Sequence, residues 1–172
     1  MSSNRSPLTR PITVTDIPEE GLDLTVEANE AERRALAEDF EIGAVHRLEG
    51  AFGLRRVTGG VKVSGTVSAE VEQNCVVTLE PVVNQVNESV DLMFSDHVQP
   101  TVGDGEDVMQ LGEREPPEPI VNGRIDLGTV TAEFLALGLD PYPRKPGVRF
   151  EPTEPEDRSD SPFAALSRIK GS

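Results

Sequence analysis

Tryptophan is absent from this 172-residue chain, and aromatic side chains make up only 4 % of it. Its core must therefore be assembled from smaller apolar residues, chiefly Val and Leu. A single cysteine, Cys75, excludes an intramolecular disulfide. Only two histidines, His46 and His97, accompany it. A structural zinc site takes about four N or S ligands at set spacings, so none is expected here. No apolar run approaches the length of a membrane span, and the N-terminal "MSSNRSPLTRPITV" lacks the apolar stretch of a secretory signal. A cytoplasmic protein without a membrane role is the expectation. Cations are scarce too: 16 Lys and Arg stand against 31 Asp and Glu, for a formal net charge of −15. Such a field repels polyanions, which excludes a broad grip on nucleic acid. It suits a basic protein partner, and it also serves plain solubility.

What is present reads as one α+β domain over residues 1–150, with a flexible tail at 151–172. "RPITV" and "GLDLTVEAN" are two short strands that could pair as a hairpin across "PEEG". "NEAERRALAEDF" is a helix. Asn29 caps it, Glu32 completes the capping box, Leu36 and Phe40 share a face, and Gly43 ends it. Leu48, Phe52 and Leu54 then alternate along a strand. Thr58-Gly59-Gly60 turns the chain into the longest alternation, from Val61 through Val63, Gly65, Val67 and Ala69 to Val71. A third run carries Val82, Val86, Val90, Leu92 and Phe94. Together these predict an antiparallel meander that could curl toward a barrel. Residues 98–120 are acidic and irregular and read as a disordered loop. "RIDLGTVTAEFLALGLDP" is a second helix capped by Asp126, with Leu127, Val130, Phe134 and Leu137 on its buried face. The two helices are expected to cover the sheet. "PFAALSRIK" gives the tail a short amphipathic end.

Few residues carry chemistry. Cys75 continues the apolar face of the long strand with Val77 and Leu79, interrupted by Gln73. With no cation or His beside it in sequence, it reads as a small buried hydrophobe. Neither histidine sits in a nucleophile–base pattern, and no G-x-S-x-G occurs. "GDGED" places Asp104, Glu106 and Asp107 together, but too few ligands at the wrong spacing for a dedicated cation loop. "VTGGVKVSGT" does not match a phosphate loop and is a hairpin. No catalytic residue, cofactor, metal site or small-molecule substrate is indicated.

One window departs from the acidic background. "DPYPRKPGVRF" holds Tyr142, Arg144, Lys145 and Arg149 among prolines. It is read either as a stiff linker after a helix stop, or as a docking segment with a flat aromatic and cations for phosphate or carboxylate. A third reading pairs its cations with the acidic loop.

Three stretches bear a resemblance. "CVVTLEPV" is similar to a C-x-R-C-L-E-P-V segment, "NGRIDLGTVTAEFLALGLDPYPRKPG" to a G-x-I-D-L helix with a Pro-rich basic stop, and "PFAALSRIK" to a P-F-x-x-L-x-x-L-K end. In this order they resemble the YceD family of large ribosomal RNA accumulation proteins, in the wording of its alphaproteobacterial branch, from about Val45 to Lys170. The chain departs from the family's pattern at Val77 and Thr78, where many members carry the Arg and the second Cys, so a paired-cysteine role cannot operate. The resemblance implies a non-enzymatic part in 23S rRNA accumulation or processing. The expected partners are a basic ribosomal protein or assembly factor, and 23S rRNA precursor through the local basic segment. Tyr142, Arg144, Lys145 and Arg149, with Phe163 and Leu166 of the tail, are the candidate binding residues. The alternatives are an acidic chaperone for free basic ribosomal proteins and a metal-dependent hydrolase using the "GDGED" acids.

Overall fold

The computed structural model describes residues 6–97 and 116–149. Ten elements follow one another: β1 (Pro11–Thr13), a 3-10 turn (Val14–Asp16), β2 (Leu22–Glu27), α1 (Glu30–Asp39), β3 (Ala44–Val57), β4 (Gly60–Asn74), β5 (Pro81–Ser95), β6 (Glu118–Pro119), β7 (Arg124–Asp126) and α2 (Leu127–Gly138). One sheet has the order β2-β3-β4-β5-β6; β1 and β7 form a second, two-stranded sheet. The expected α+β class and the antiparallel meander are both present. The large sheet does not close into a barrel.

The period-two patterns produce this arrangement. Val61, Val63, Val67, Ala69 and Val71 of β4 are fully buried, and their neighbours on the meander are Leu48, Phe52 and Leu54 of β3 and Val86, Val90 and Phe94 of β5. Every second residue between them stays wet. The apolar face is covered by α1, through Leu36 and Ala37, and by α2, through Leu127, Val130, Ala132 and Leu135. Leu8 and Ile17 seal the N-terminal side. Each fully buried leucine contributes roughly 1.5–3 kcal/mol. A register shift between Val45 and Arg47 bulges β3 next to α1.

Both helices start as their sequences require. The Asn29 side chain accepts from the Glu32 amide at 2.9 Å while the Glu32 carboxylate accepts from the Asn29 amide at 2.8 Å. Asp126 Oδ1 accepts from the amides of Gly128 and Thr129 at 3.0 and 3.2 Å, and from that of Arg10 at 2.7 Å. The Arg10 guanidinium in turn forks onto Glu32, at 2.8 and 2.9 Å, which ties the N-terminal arm to both helix starts.

Several expectations are corrected. β1 pairs with β7, Ile12 opposite Ile125, and not with β2, whose partner is β3. A strand of three residues is too short to fix its partner, and the "PEEG" turn does not bring it beside β2. Glu41, at φ 54°, takes the left-handed position after α1. Gly43 serves a different purpose: an added Cβ would press on the Glu72 carbonyl at 3.1 Å. Arg124–Asp126 is strand, not helix. On α2 the buried row runs through Leu135, while Leu137 is 73 % exposed; nearly every residue of that helix is apolar, so its phase is poorly marked in sequence. After Cys75 the apolar strand face does not continue: β4 ends at Asn74, and Leu79 lies in the turn, 76 % exposed. At the end of the predicted acidic loop, Glu118 and Pro119 pair in parallel with Phe94 and Ser95. The rest of that loop (98–115) and the tail, with Phe163 and Leu166, lie outside the described residues.

Two measurements test this packing. Alanine for glycine near a helix start ordinarily favours the helix by up to roughly 1 kcal/mol. At Gly128 the new Cβ would meet the backbone of Leu8, Thr9 and Arg10 within 2.7 Å. Gly128→Ala is therefore predicted to lower stability by about 1–3 kcal/mol in urea unfolding; a raised midpoint would show that the approach is not tight. The hydrogen bonds from Arg10 and from the Asn29 amide hold the Glu32 carboxyl below its ordinary value near 4.5. Its contribution is complete above that value and is lost as pH falls through the lowered one. Glu32→Gln should thus cost stability at neutral pH, about 1 kcal/mol given the partly exposed Arg10, and the gap to the wild type should narrow under acid.

Candidate functional site

The site gathers at one end of the sheet, where the β4–β5 connection meets the chain leaving α2. Its organiser is Gln73, the polar interruption in the apolar row of β4, only 6 % exposed. Its Nε2 donates to the Asp140 carbonyl at 2.9 Å, and its Oε1 accepts from Asn84 Nδ2 at 3.2 Å and the Asp140 amide at 3.3 Å. A buried amide needs such partners. These bonds fasten the C-terminal end of α2 to the sheet.

The segment that follows is laced to the same end. Pro143 is buried, and its carbonyl accepts from the Val76 amide at 2.9 Å. The Lys145 amide donates to Cys75 Sγ at 3.4 Å, and Lys145 Nζ meets Glu80 at 2.6 Å. The Asp140 carboxylate accepts from the Tyr142 amide at 2.9 Å. A turn at Gly147, φ 80°, lets the Val148 amide donate back to the Lys145 carbonyl at 3.2 Å. The segment is thus a docked strap, not the free polyproline linker of the simplest sequence reading.

Anchoring sorts its side chains. Tyr142 stands out from the strap, 70 % exposed, and Arg144 and Arg149 are exposed as well. Lys145 is committed to Glu80, each group moving the other's pKa in favour of the charged pair: the hydrogen bond raises the ammonium and lowers the carboxyl. On the turn alongside, Val76 and Leu79 present apolar surface. Leu79 does so at φ 60°, a conformation costing a branched residue on the order of 1 kcal/mol. The structure therefore brings Tyr142, Arg144, Lys145 and Arg149 onto one strap, as their sequence proximity implied. It adds Gln73, Val76 and Leu79, which sequence reasoning missed. The one available signal was Gln73 itself, a polar residue where the alternation called for an apolar one.

Cys75 is fully buried, as expected, but its thiol is not an inert hydrophobe. The Thr78 hydroxyl is the strongest of its donors, joined by the amides of Lys145, Thr78 and Val77; together they outweigh burial and lower its pKa to about 6. The Lys145 donor comes from 70 residues away, which no local pattern reveals. Elsewhere, His46 faces Glu72 across 3.4 Å at an exposed position. No group of three or more His, Cys, Asp or Glu able to hold a metal occurs among the described residues. The "GDGED" acids lie outside them. No helix of the described residues is long and apolar enough to cross a membrane. The assembled features are an aromatic, two exposed arginines with no ion pair among the described residues, and two exposed apolar residues, an arrangement that can bind and that holds no nucleophile–base pair among the described residues.

The thiol makes a pH prediction. A group whose pKa is lowered by folding stabilises the fold above its unfolded value and loses that contribution as pH falls through the folded one. The wild-type urea midpoint should therefore rise between about pH 6 and 9, and Cys75→Ala should flatten that rise. Equal slopes in both proteins would show that the thiol is not ionised in the fold.

No curated protein and no solved structure matched the chain. A family model described as "Large ribosomal RNA subunit accumulation protein YceD" matches residues 63–170. That span starts on β4 and includes Gln73, Cys75 and the whole strap. The chain accordingly belongs to the YceD family, whose role lies in accumulation of the large-subunit ribosomal RNA.

Proposed function

We propose that this protein supports large-subunit ribosome biogenesis in the cytoplasm by binding, without catalysing a reaction. Its acidic body engages a basic ribosomal protein or assembly factor. Its strap touches 23S rRNA precursor through Tyr142, Arg144 and Arg149. The observation that carries this reading is the docked strap, which holds outward an aromatic and two cations with no ion pair among the described residues, in a chain of net charge −15. Stacking by one aromatic and pairing with a few phosphates suit a local RNA contact. A broad contact would meet the field of the whole chain. Lys145, a candidate on sequence grounds, is assigned to fastening the strap through Glu80. Pre-fastening lowers the ordering cost of binding.

A chaperone for free basic proteins would need no contact with particles or RNA, so sedimentation separates the two readings. The triple variant Tyr142→Ala/Arg144→Ala/Arg149→Ala removes exposed groups only and should leave the unfolding midpoint unchanged. Wild-type protein is expected to co-migrate with large-subunit precursors in gradients of gently lysed cells, less so as salt rises. The variant should shift to the top of the gradient at lower salt. Wild-type protein that stays at the top under all salts would overturn the particle-binding reading and favour the chaperone. A variant that migrates like wild type would remove the strap from the contact.

A further inference from the structure

We infer that the outer edge of β5 is a strand-addition site for an extended, Lys/Arg-rich segment of a partner protein. This rests on the basic-partner reading above and gives it a place and a geometry.

β5 has 15 residues and pairs with β4 from Pro81 to Phe94 without a bulge. On its other side, β6 covers only Phe94 and Ser95. From Pro81 to Asp91, no backbone group among the described residues hydrogen-bonds to the edge facing away from β4. A long unpaired edge is a template for another strand, and proteins ordinarily blunt one with Lys, an internal Pro or a bulge. "PVVNQVNESVDLMFS" contains no Lys or Arg and no Pro beyond its first residue. At the other end of the sheet, β2 is only six residues long, and the Glu27 carbonyl accepts from Arg10 Nη2 at 3.0 Å.

Charge selects the occupant. The elements along this edge, β5, β6 and α2, carry Glu88, Asp91, Glu118 and Glu133 and no cation. Lys62 of β4 reaches Asp91 at 3.5 Å. Glu88, Glu118 and Glu133 have no ion pair among the described residues. The Glu133 carboxyl is pushed up by partial burial and by the nearby Glu118 charge, so a cation arriving there relieves a repulsion. A second copy of the chain would bring another −15 to this edge. Residues 98–115 would bring Asp104, Glu106, Asp107, Glu113 and Glu115 against Arg114 alone. A basic strand brings main-chain hydrogen bonds and opposite charge together.

The experiment uses the full chain and a synthetic peptide of alternating lysine and threonine. The control is the same peptide N-methylated at alternate residues, which keeps its charge but cannot complete a ladder. Binding is measured by calorimetry, and backbone protection by hydrogen exchange. The expected result is slower exchange of amides in β5 on adding the unmethylated peptide, and binding weakened by about tenfold or more on methylation. Glu88→Gln/Glu118→Gln/Glu133→Gln should weaken binding of the unmethylated peptide. Equal binding of both peptides would overturn strand addition while leaving the basic-partner reading standing. Binding of neither would overturn both. An edge already protected in the free chain, and opened by deleting residues 98–115 or by diluting a dimer, would assign it to that segment or to a second copy and overturn the proposal.

Discussion

A buried amide cannot be left to water, and the candidate site of this protein hangs on that constraint. Gln73 occupies a core-facing position of β4 where its neighbours are Val71 and Cys75, both fully buried. Its donor and acceptor are satisfied by the backbone of Asp140 and the side chain of Asn84. An unsatisfied group there would cost about 1–3 kcal/mol. The bonds fix where the chain leaves α2. Once Asp140 is placed, Pro143 reaches Val76, the Lys145 amide reaches Cys75, and its ammonium reaches Glu80. The orientation of Tyr142 and Arg144 toward solvent is a consequence of that chain of contacts.

Cys75 shows how the same docking changes chemistry. In the isolated strand the thiol would be one more small apolar group. The strap adds the Lys145 amide to the donors that Thr78 and Val77 supply from the turn, and the balance moves toward the thiolate. This thiol has no second cysteine to pair with. Its hydrogen bonds instead make it a joint between the β4–β5 turn and the strap, so the strap's position and the thiol's ionisation are linked.

The charge distribution separates two surfaces. The strap carries exposed Arg144 and Arg149, which have no ion pair among the described residues, whereas β5, β6 and α2 carry carboxylates and no cation, with Lys62 of β4 reaching Asp91. The strap is not alone in presenting positive charge, since exposed Arg55 and Arg56 lie beside Lys62 on the β3–β4 hairpin, but it is the place where cations stand next to an exposed aromatic. That division suits a family tied to the accumulation of large-subunit ribosomal RNA, where basic proteins and RNA meet.

Much of the fold was legible in the chain because its signals are local. The Val61–Val71 alternation marks β4, and Asn29 with Glu32 and Asp126 mark both helix starts, since a strand's two faces and a helix's cap involve residues a few positions apart. The cation-and-tyrosine window was visible for the same reason. Pairings across the sequence were not legible. β1 finds β7 more than a hundred residues away, the Lys145 amide finds a thiol 70 residues back, and α2 buries Leu135 in preference to Leu137. Each is selected by which surfaces the assembled sheet leaves open. Periodicity and caps thus sufficed for the elements, and the family motifs for the biological setting. Tertiary packing alone determined the docked strap, the acidic edge and the ionisable thiol, because long-range hydrogen bonds and burial exist only once the chain has closed on itself.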